Sequence, residues 1–195
     1  MTTVLNLEPI TTLTREQFFQ LCQANPDVLL ERSPNGELII VTPIGGEGGS
    51  QEASLIIKVG VWNEQTQLGV VFSSQTVFSL PGGGDGQSPA GSDRSPDVAW
   101  VELSRWQGLS QEEREGFPPI CPDFLIELRS RSDRLKPLQN KMLEYLASGL
   151  RLGWLINGKD KQVEIYRQGQ EVEVVGIPVV LSGEDVLPGF SLEVS

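Results

Sequence analysis

The chain contains no histidine and only two cysteines, two methionines and two tyrosines in 195 residues. Without histidine there is no imidazole general base, no serine–histidine or cysteine–histidine pair and no imidazole ligand for zinc. Cys22 and Cys121 stand alone in the sequence, which leaves no thiolate zinc cluster. One disulfide or two free thiols remain open; isolated cysteines are commonly buried and free, and reduced thiols suit a cytoplasm. No stretch approaches the roughly 20 apolar residues that span a bilayer, so no membrane segment is expected. Met1 to Ile10 lack a basic start and an apolar run, so no secretory leader is expected. Cations are also scarce: 15 Lys and Arg face 26 Asp and Glu, for a net charge of −11. That balance opposes broad, charge-driven binding to nucleic acid, though it leaves room for a local basic groove.

What is present reads as a scaffold of alternating elements. At 38% hydrophobic the chain can bury a core, and its length fits one domain. The 21 glycines and 13 prolines are scattered, which predicts turns rather than disorder. Residues 1–13 read as an irregular lead-in. Thr14 and Gln17 have capping-box spacing ahead of a helix whose apolar side is Phe18, Phe19, Leu21 and Cys22, and Asn25-Pro26 ends it. Pro34-Asn35-Gly36 is a turn before an apolar strand, Leu38 to Val41. Gly45 to Gly49 form a flexible loop into a helix over about 50–67, where Leu55, Val59 and Trp62 recur at helical spacing.

Val70 to Leu80 reads as one strand, and the glycine-rich stretch from Pro81 as a long loop of the kind that is often functional. Val98 to Leu103 and Asp123 to Ser130 read as further strands, separated by a polar, partly helical insertion over 104–119. A helix runs from Ser132-Asp133 to about Ser148 and stops at Gly149. Trp154 to Ile156 and Val163 to Tyr166 then form a hairpin about Asn157-Gly158, and short strands follow. Strands separated by helices predict an α/β (α+β) layer fold with a mixed sheet.

Two carboxylates stand out on this scaffold. Asp97, after Ser95-Pro96, opens one strand, and Glu127 lies within another. Adjacent strands are about 4.8 Å apart, so the two can share one divalent cation. Oxygen-only donors in a chain without histidine favour Mg²⁺ or Mn²⁺, which complete their shells with water and phosphate oxygens. Such a cation activates water beside a phosphodiester. Strand alternation places Glu127 and Arg129 on one face. On the following helix Leu135, Leu138, Met142 and Leu146 form the buried stripe, with Lys141 at its border, within reach of a neighbouring site. Residues 129–151 carry six cations and two anions, a basic stretch that suits a polyanionic substrate. Glu52 opens the earlier helix and can face the metal.

Taken singly, each residue also fits an ordinary role. Glu127 and Arg129 fit a solvated ion pair, Asp97 a turn and Lys141 a snorkelling lysine. Glu52 fits a partner of the helix dipole.

The sequence Ser95-Pro96-Asp97-Val98-Ala99-Trp100-Val101 resembles the Uma2 family of restriction endonucleases in the PD-(D/E)XK nuclease superfamily. Pro122 to Ser130, Lys141 to Tyr145, Gly149 and Gly153 to Ile156 extend the likeness, which covers nearly the whole chain. The resemblance implies a restriction-endonuclease-like mixed central β-sheet flanked by helices. It divides 1–195 into a lead-in with first helix (1–33), a nuclease-like core (37–167) and C-terminal strands (170–195). It implies metal-dependent hydrolysis of DNA phosphodiesters in the cytoplasm, with Asp97, Glu127 and Glu52 as metal ligands for Mg²⁺ or Mn²⁺.

The superfamily's lysine two positions after the glutamate is Arg129 here. Its role is expected to pass to Lys141, which would position or deprotonate the water, with Arg129 as phosphate clamp, since arginine holds phosphate but does not act as a base. A homodimer is a further expectation from the superfamily. The alternative is a nuclease-fold module without catalysis that binds nucleic acid or protein. A carboxylate-pair hydrolase of sugars ranks last, because few aromatic residues lie near the pair.

Overall fold

The computed structural model describes residues 3–8, 10–82 and 91–195. In chain order the elements begin with β1 (Thr3–Leu5), α1 (Arg15–Ala24), β2 (Leu30–Arg32), β3 (Leu38–Ile40), α2 (Gly46–Thr66) and β4 (Gly69–Ser73). They continue with β5 (Phe78–Ser79), β6 (Asp93–Arg94), β7 (Val98–Glu102), α3 (Leu103–Gln107), α4 (Gln111–Glu115) and β8 (Phe124–Leu128). The last are α5 (Leu135–Ala147), β9 (Leu152–Asn157), β10 (Gln162–Arg167), β11 (Glu173–Gly176), β12 (Val179–Ser182) and β13 (Ser191–Val194). The fold is mixed α+β.

A six-stranded sheet runs β11-β10-β9-β8-β7-β4, and a five-stranded sheet runs β1-β3-β2-β6-β5. β12 and β13 form a separate hairpin. In the larger sheet β8 and β9 are parallel, joined through α5, while β7 and β8 are antiparallel. A parallel neighbour requires such a crossover, and the helix supplies it.

The period-two alternation of β7 and β8 sends side chains to two cores. Val98, Trp100, Phe124 and Ile126 pack with Leu55, Val59 and Trp62 of α2 and with the β12–β13 hairpin. Ala99, Val101 and Leu125 face the other way, onto Met142 and Tyr145 of α5. Burying a side chain of this size stabilises by roughly 1.5–3 kcal/mol, so the large sheet, covered on both faces, is the stable frame. A third cluster under α1 joins Phe18, Leu30, Leu38 and Val77.

Several elements differ from the sequence expectation, each for a local reason. The lead-in contains β1, which pairs with β3 over Thr3 to Leu5. β2 has only a weak strand signature: two of the three residues Leu30-Glu31-Arg32 are charged, and pairing with β3 and β6 makes it a strand. The run Val70–Leu80 splits into β4 and β5, two strands of different sheets. Gly46 to Gly49 are the first turn of α2 rather than a loop, and the N-cap Gly45 offers no side-chain hydrogen bond. α5 starts at Leu135 after Arg134, and its fully buried positions are Met142 and Tyr145, so the stripe is turned toward Tyr145. Residues 83–90 of the expected glycine-rich loop lie outside the described residues. The capping box at Thr14 and Gln17 and the stop at Gly149, with φ 104°, are as expected.

β2 and β6 carry an unusual pair of contacts. Arg32 lies opposite Asp93, and one step along an antiparallel pair brings Glu31 opposite Arg94. Arg32 Nε donates to Asp93 Oδ2 at 2.6 Å with both side chains 1% exposed. Arg94 reaches Glu31 Oε2 at 3.0 Å. The two ion pairs occupy opposite faces of the same strand pair. Gly91 O and Ser79 Oγ complete the Arg32–Asp93 contact, at 2.5 Å each. A buried ion pair stabilises only when its remaining hydrogen-bonding groups are satisfied, and here they are.

Candidate active site

The geometry starts from strand register. Val98 pairs with Ile126 in β7 and β8. The next step of that antiparallel ladder puts Asp97 across from Glu127. Both belong to the face that carries Ala99 and Leu125, toward α5. Asp97 Oδ2 accepts the Leu128 amide N–H at 2.6 Å, which ties the start of β7 to the end of β8. Glu127 is 3% exposed. Its Oε1 receives Lys141 Nζ at 2.7 Å and the Tyr145 hydroxyl at 3.1 Å, both from α5. The sequence-predicted Asp97, Glu127 and Lys141 therefore converge.

Glu52 reaches the same cleft from the second turn of α2. Ser74 Oγ donates to Glu52 Oε1 at 2.5 Å, and Glu52 adds to the negative potential at Asp97.

Arg129 lies elsewhere on the cleft wall. Its guanidinium bonds Asp160 Oδ2 at 2.6 Å, Asn157 Oδ1 at 3.2 Å and the Asp133 carbonyl at 3.2 Å, none of them in the carboxylate pair. β8 ends at Leu128, so strand alternation no longer governs Arg129. The basic stretch 129–151 does not form one patch either. Arg151 pairs with Glu102 and Asp123 at the start of β8, the far end from Glu127, and exposed Arg131 meets Glu47 at 3.3 Å.

Sequence reasoning missed Glu31. It is 3% exposed and comes from β2, in the other sheet. Its Oε1 lies 2.9 Å from Lys141 Nζ and accepts the Ser95 N–H at 2.9 Å. Arg94, which holds Oε2, also forks onto Glu144 of α5 at 2.8 Å through both Nε and Nη2. Lys141 Nζ donates in addition to the Ser95 carbonyl at 3.1 Å. The available signal was the apolar run Val28-Leu29-Leu30 just before Glu31, which fits the start of a strand.

These groups lie in a cleft of about 730 Å³. Its lining carries seven carboxylates (Glu31, Glu37, Glu52, Asp97, Glu127, Asp133 and Glu144) against four cations, Arg94, Arg129, Arg134 and Lys141. Burial pushes the Asp97 carboxyl up to about 8, with Glu127 and then Glu52 adding to the rise against Lys141. Burial likewise raises Glu127, helped by Glu31 and opposed by Lys141. Glu31 has the same burial, but Lys141, Arg94 and the Ser95 N–H outweigh it and hold it below the ordinary range. One lysine serves both glutamates, and Glu31 has a second cation while Glu127 has none; that difference explains the opposite directions. Burial alone would lower Lys141, but Glu127 and Glu31 overcome it and hold it well above the ordinary lysine value. Lys141 is thus a fixed ammonium and a hydrogen-bond donor, which does not suit it to taking a proton from water.

This donor set fits a hard divalent cation in its chemistry. The donors are all oxygen, negative charge is in excess, and burial together with Glu127 outweighs Lys141 in raising the Asp97 carboxyl. Among the described residues no three acidic, thiol or imidazole groups stand together as a ready ligand cluster. The arrangement is a two-carboxylate site, of the kind Mg²⁺ takes with water and substrate filling its other positions.

A pH dependence follows. The folded state keeps the Asp97 proton up to about 8, whereas an unfolded aspartate loses it near 3.9. Between these values the folded chain binds more protons, so this contribution to stability is complete below the lower pKa and lost as pH rises through the upper one. In EDTA, the Tm of the wild type relative to Asp97→Asn should fall from pH 4 to pH 8 and then level off. A difference that rises with pH would contradict the assignment.

No helix among the described residues is long and apolar enough to cross a membrane. Among curated proteins, none matches the chain. A solved structure from Anabaena variabilis, described as "a putative nuclease belonging to DUF820", superposes with a TM-score of 0.74. It is 20% identical and covers 93% of this chain and 94% of its own, which shows the same fold. The model of the Uma2 family, described as "Putative restriction endonuclease", matches residues 15–195. With the match extending over almost all of the sequence, the chain belongs to the Uma2 family.

Proposed function

We propose that this chain, acting as one Uma2-type unit over 1–195, is a divalent-metal-dependent endonuclease that hydrolyses DNA phosphodiesters. The observation that carries the reading is the Asp97–Glu127 pair, set across adjacent strands in an acid-rich cleft with Lys141 beside it. Asp97 and Glu127 would hold Mg²⁺ or Mn²⁺, with Glu52 at the rim. When bound, the cation supplies charge neutralisation at a phosphate and a more acidic water.

The remaining work falls to the chain's own groups. Lys141, kept charged between Glu127 and Glu31, donates hydrogen bonds toward a phosphate oxygen or a water. It orients that group rather than deprotonating it, the first of the two roles the sequence left open. Arg129 as phosphate clamp requires exchange of Asp160, which is 47% exposed, for a phosphate. Asp160 can turn to solvent, while Asn157 and the Asp133 carbonyl keep the Arg129 guanidinium at the cleft wall.

The second reading, a nuclease-fold module that binds without cleaving, is motivated by Arg129 at the superfamily's lysine position and by the −11 charge. Incubating supercoiled plasmid and single-stranded DNA with Mg²⁺, Mn²⁺ or EDTA decides between them. Nicking that requires the metal supports the enzyme. DNA binding indifferent to EDTA, with no product, supports the module.

A further inference from the structure

Lys141 has three donors and three acceptors: Glu127, Glu31 and the Ser95 carbonyl. Only the first belongs to the proposed metal pair. We infer that Glu31 is a positioning residue, which reaches across from the second sheet to fix both the Lys141 ammonium and the strand entry that presents Asp97.

Three observations carry this beyond simple burial. First, Glu31 grips the Ser95-Pro96-Asp97 segment at one end. Its Oε1 takes the Ser95 N–H, while the Ser95 carbonyl takes Lys141, so the lysine and the peptide two residues before Asp97 are fastened to one oxygen. Second, Glu31 is itself held. Arg94 occupies its other oxygen at 3.0 Å and forks onto Glu144, three residues after Lys141 on the same helix. The run Glu144–Arg94–Glu31–Lys141–Glu127 therefore leaves α5, passes through both strands of the β2–β6 pair and returns to α5. Third, the run is strictly alternating in charge, and a lysine on a flexible four-carbon stem needs such fixed partners to keep one geometry. Partners behind a site's own groups are typically worth about 10–100-fold in activity or metal affinity.

The inference rests on the endonuclease reading for its catalytic consequence, but the clamp itself can be tested without cleavage. An ammonium held by three acceptors away from solvent exchanges its protons slowly, and so gives a ¹H–¹⁵N signal that solvated lysines lack. In ¹⁵N-lysine-labelled full-length protein, the signal absent from Lys141→Met is that of Lys141. Glu31→Gln should broaden or remove this signal. In Mn²⁺ it should lower kcat for plasmid nicking by about 10–100-fold, with KM for DNA changed no more than about twofold.

Glu31→Asp keeps the charge beside Arg94 and withdraws it by one methylene. It should fold where Glu31→Gln does not, shift the signal and recover part of kcat. A purely structural Glu31 predicts instead that activity tracks the folded fraction and that the lysine signal stays unchanged in the folded variant. That result overturns the inference. If the signal responds to both variants while the wild type cuts no DNA, the clamp stands and the endonuclease reading falls.

Discussion

Asp97→Asn and Glu127→Gln should each abolish metal-dependent DNA cleavage while leaving a folded protein. A metal-held charge contributes several kcal/mol at the transition state, and each 1.4 kcal/mol or so is a factor of ten. Cleavage should therefore drop by about 100-fold or more, measured as plasmid nicking in Mn²⁺. The two substitutions should also alter stability in a way that ordinary damage cannot. Asn at 97 can still accept the Leu128 N–H but no longer repels Glu127, so in EDTA at pH 8 its Tm should equal or exceed that of the wild type. Adding Mn²⁺ should raise the wild-type Tm and not that of either variant, since a ligand at 100 times its Kd stabilises by about 2.7 kcal/mol. Full cleavage by Asp97→Asn, together with an unchanged Mn²⁺ isotherm by calorimetry, would sink the metal site.

Lys141→Met should be the most destabilising single change in the cleft. Methionine fills much the same volume, so what is lost is charge. Glu127 and Glu31, each 3% exposed, are then left facing each other without the cation between them. Removing one partner of a buried pair costs about 3–5 kcal/mol, and urea midpoints should report a loss of that order. Glu127 neutralised in the Lys141→Met, Glu127→Gln double variant should recover part of it, because the second change removes the charge the first one strands. A double variant whose loss equals the sum of the two single losses would show that Lys141 and Glu127 are not coupled, contrary to their 2.7 Å contact.

The large sheet and its two covering layers were legible because their residues form simple patterns. Val98 to Val101 and Phe124 to Ile126 are short apolar runs, buried on both faces of the sheet, and Leu55, Val59 and Trp62 repeat at helical spacing. Asp97, Glu127 and Lys141 could be read for the same reason: each sits on, or one step from, an element with a clear pattern. Of the small sheet only β3 could be read in this way. β2, β5 and β6 span two or three residues each, and the two halves of the sheet are joined by a contact between distant positions, where Arg32 meets Asp93. Glu31 was lost with β2. Arg129 was misplaced for a different reason, since alternation was carried one residue past the end of its strand, where Asp160 and Asn157 decide the direction.

The oppositely charged dipeptides Glu31-Arg32 and Asp93-Arg94 have one more consequence, for assembly. If β2 slips by one residue along β6 in one direction, Arg32 faces Arg94; in the other direction, Glu31 faces Asp93. Either error sets like charges against each other and sends every side chain to the wrong face. Two short strands with little apolar area to choose their alignment are thus self-checking. Of the neighbouring alignments only one is free of repulsion, and it is the one that delivers Glu31 to Lys141.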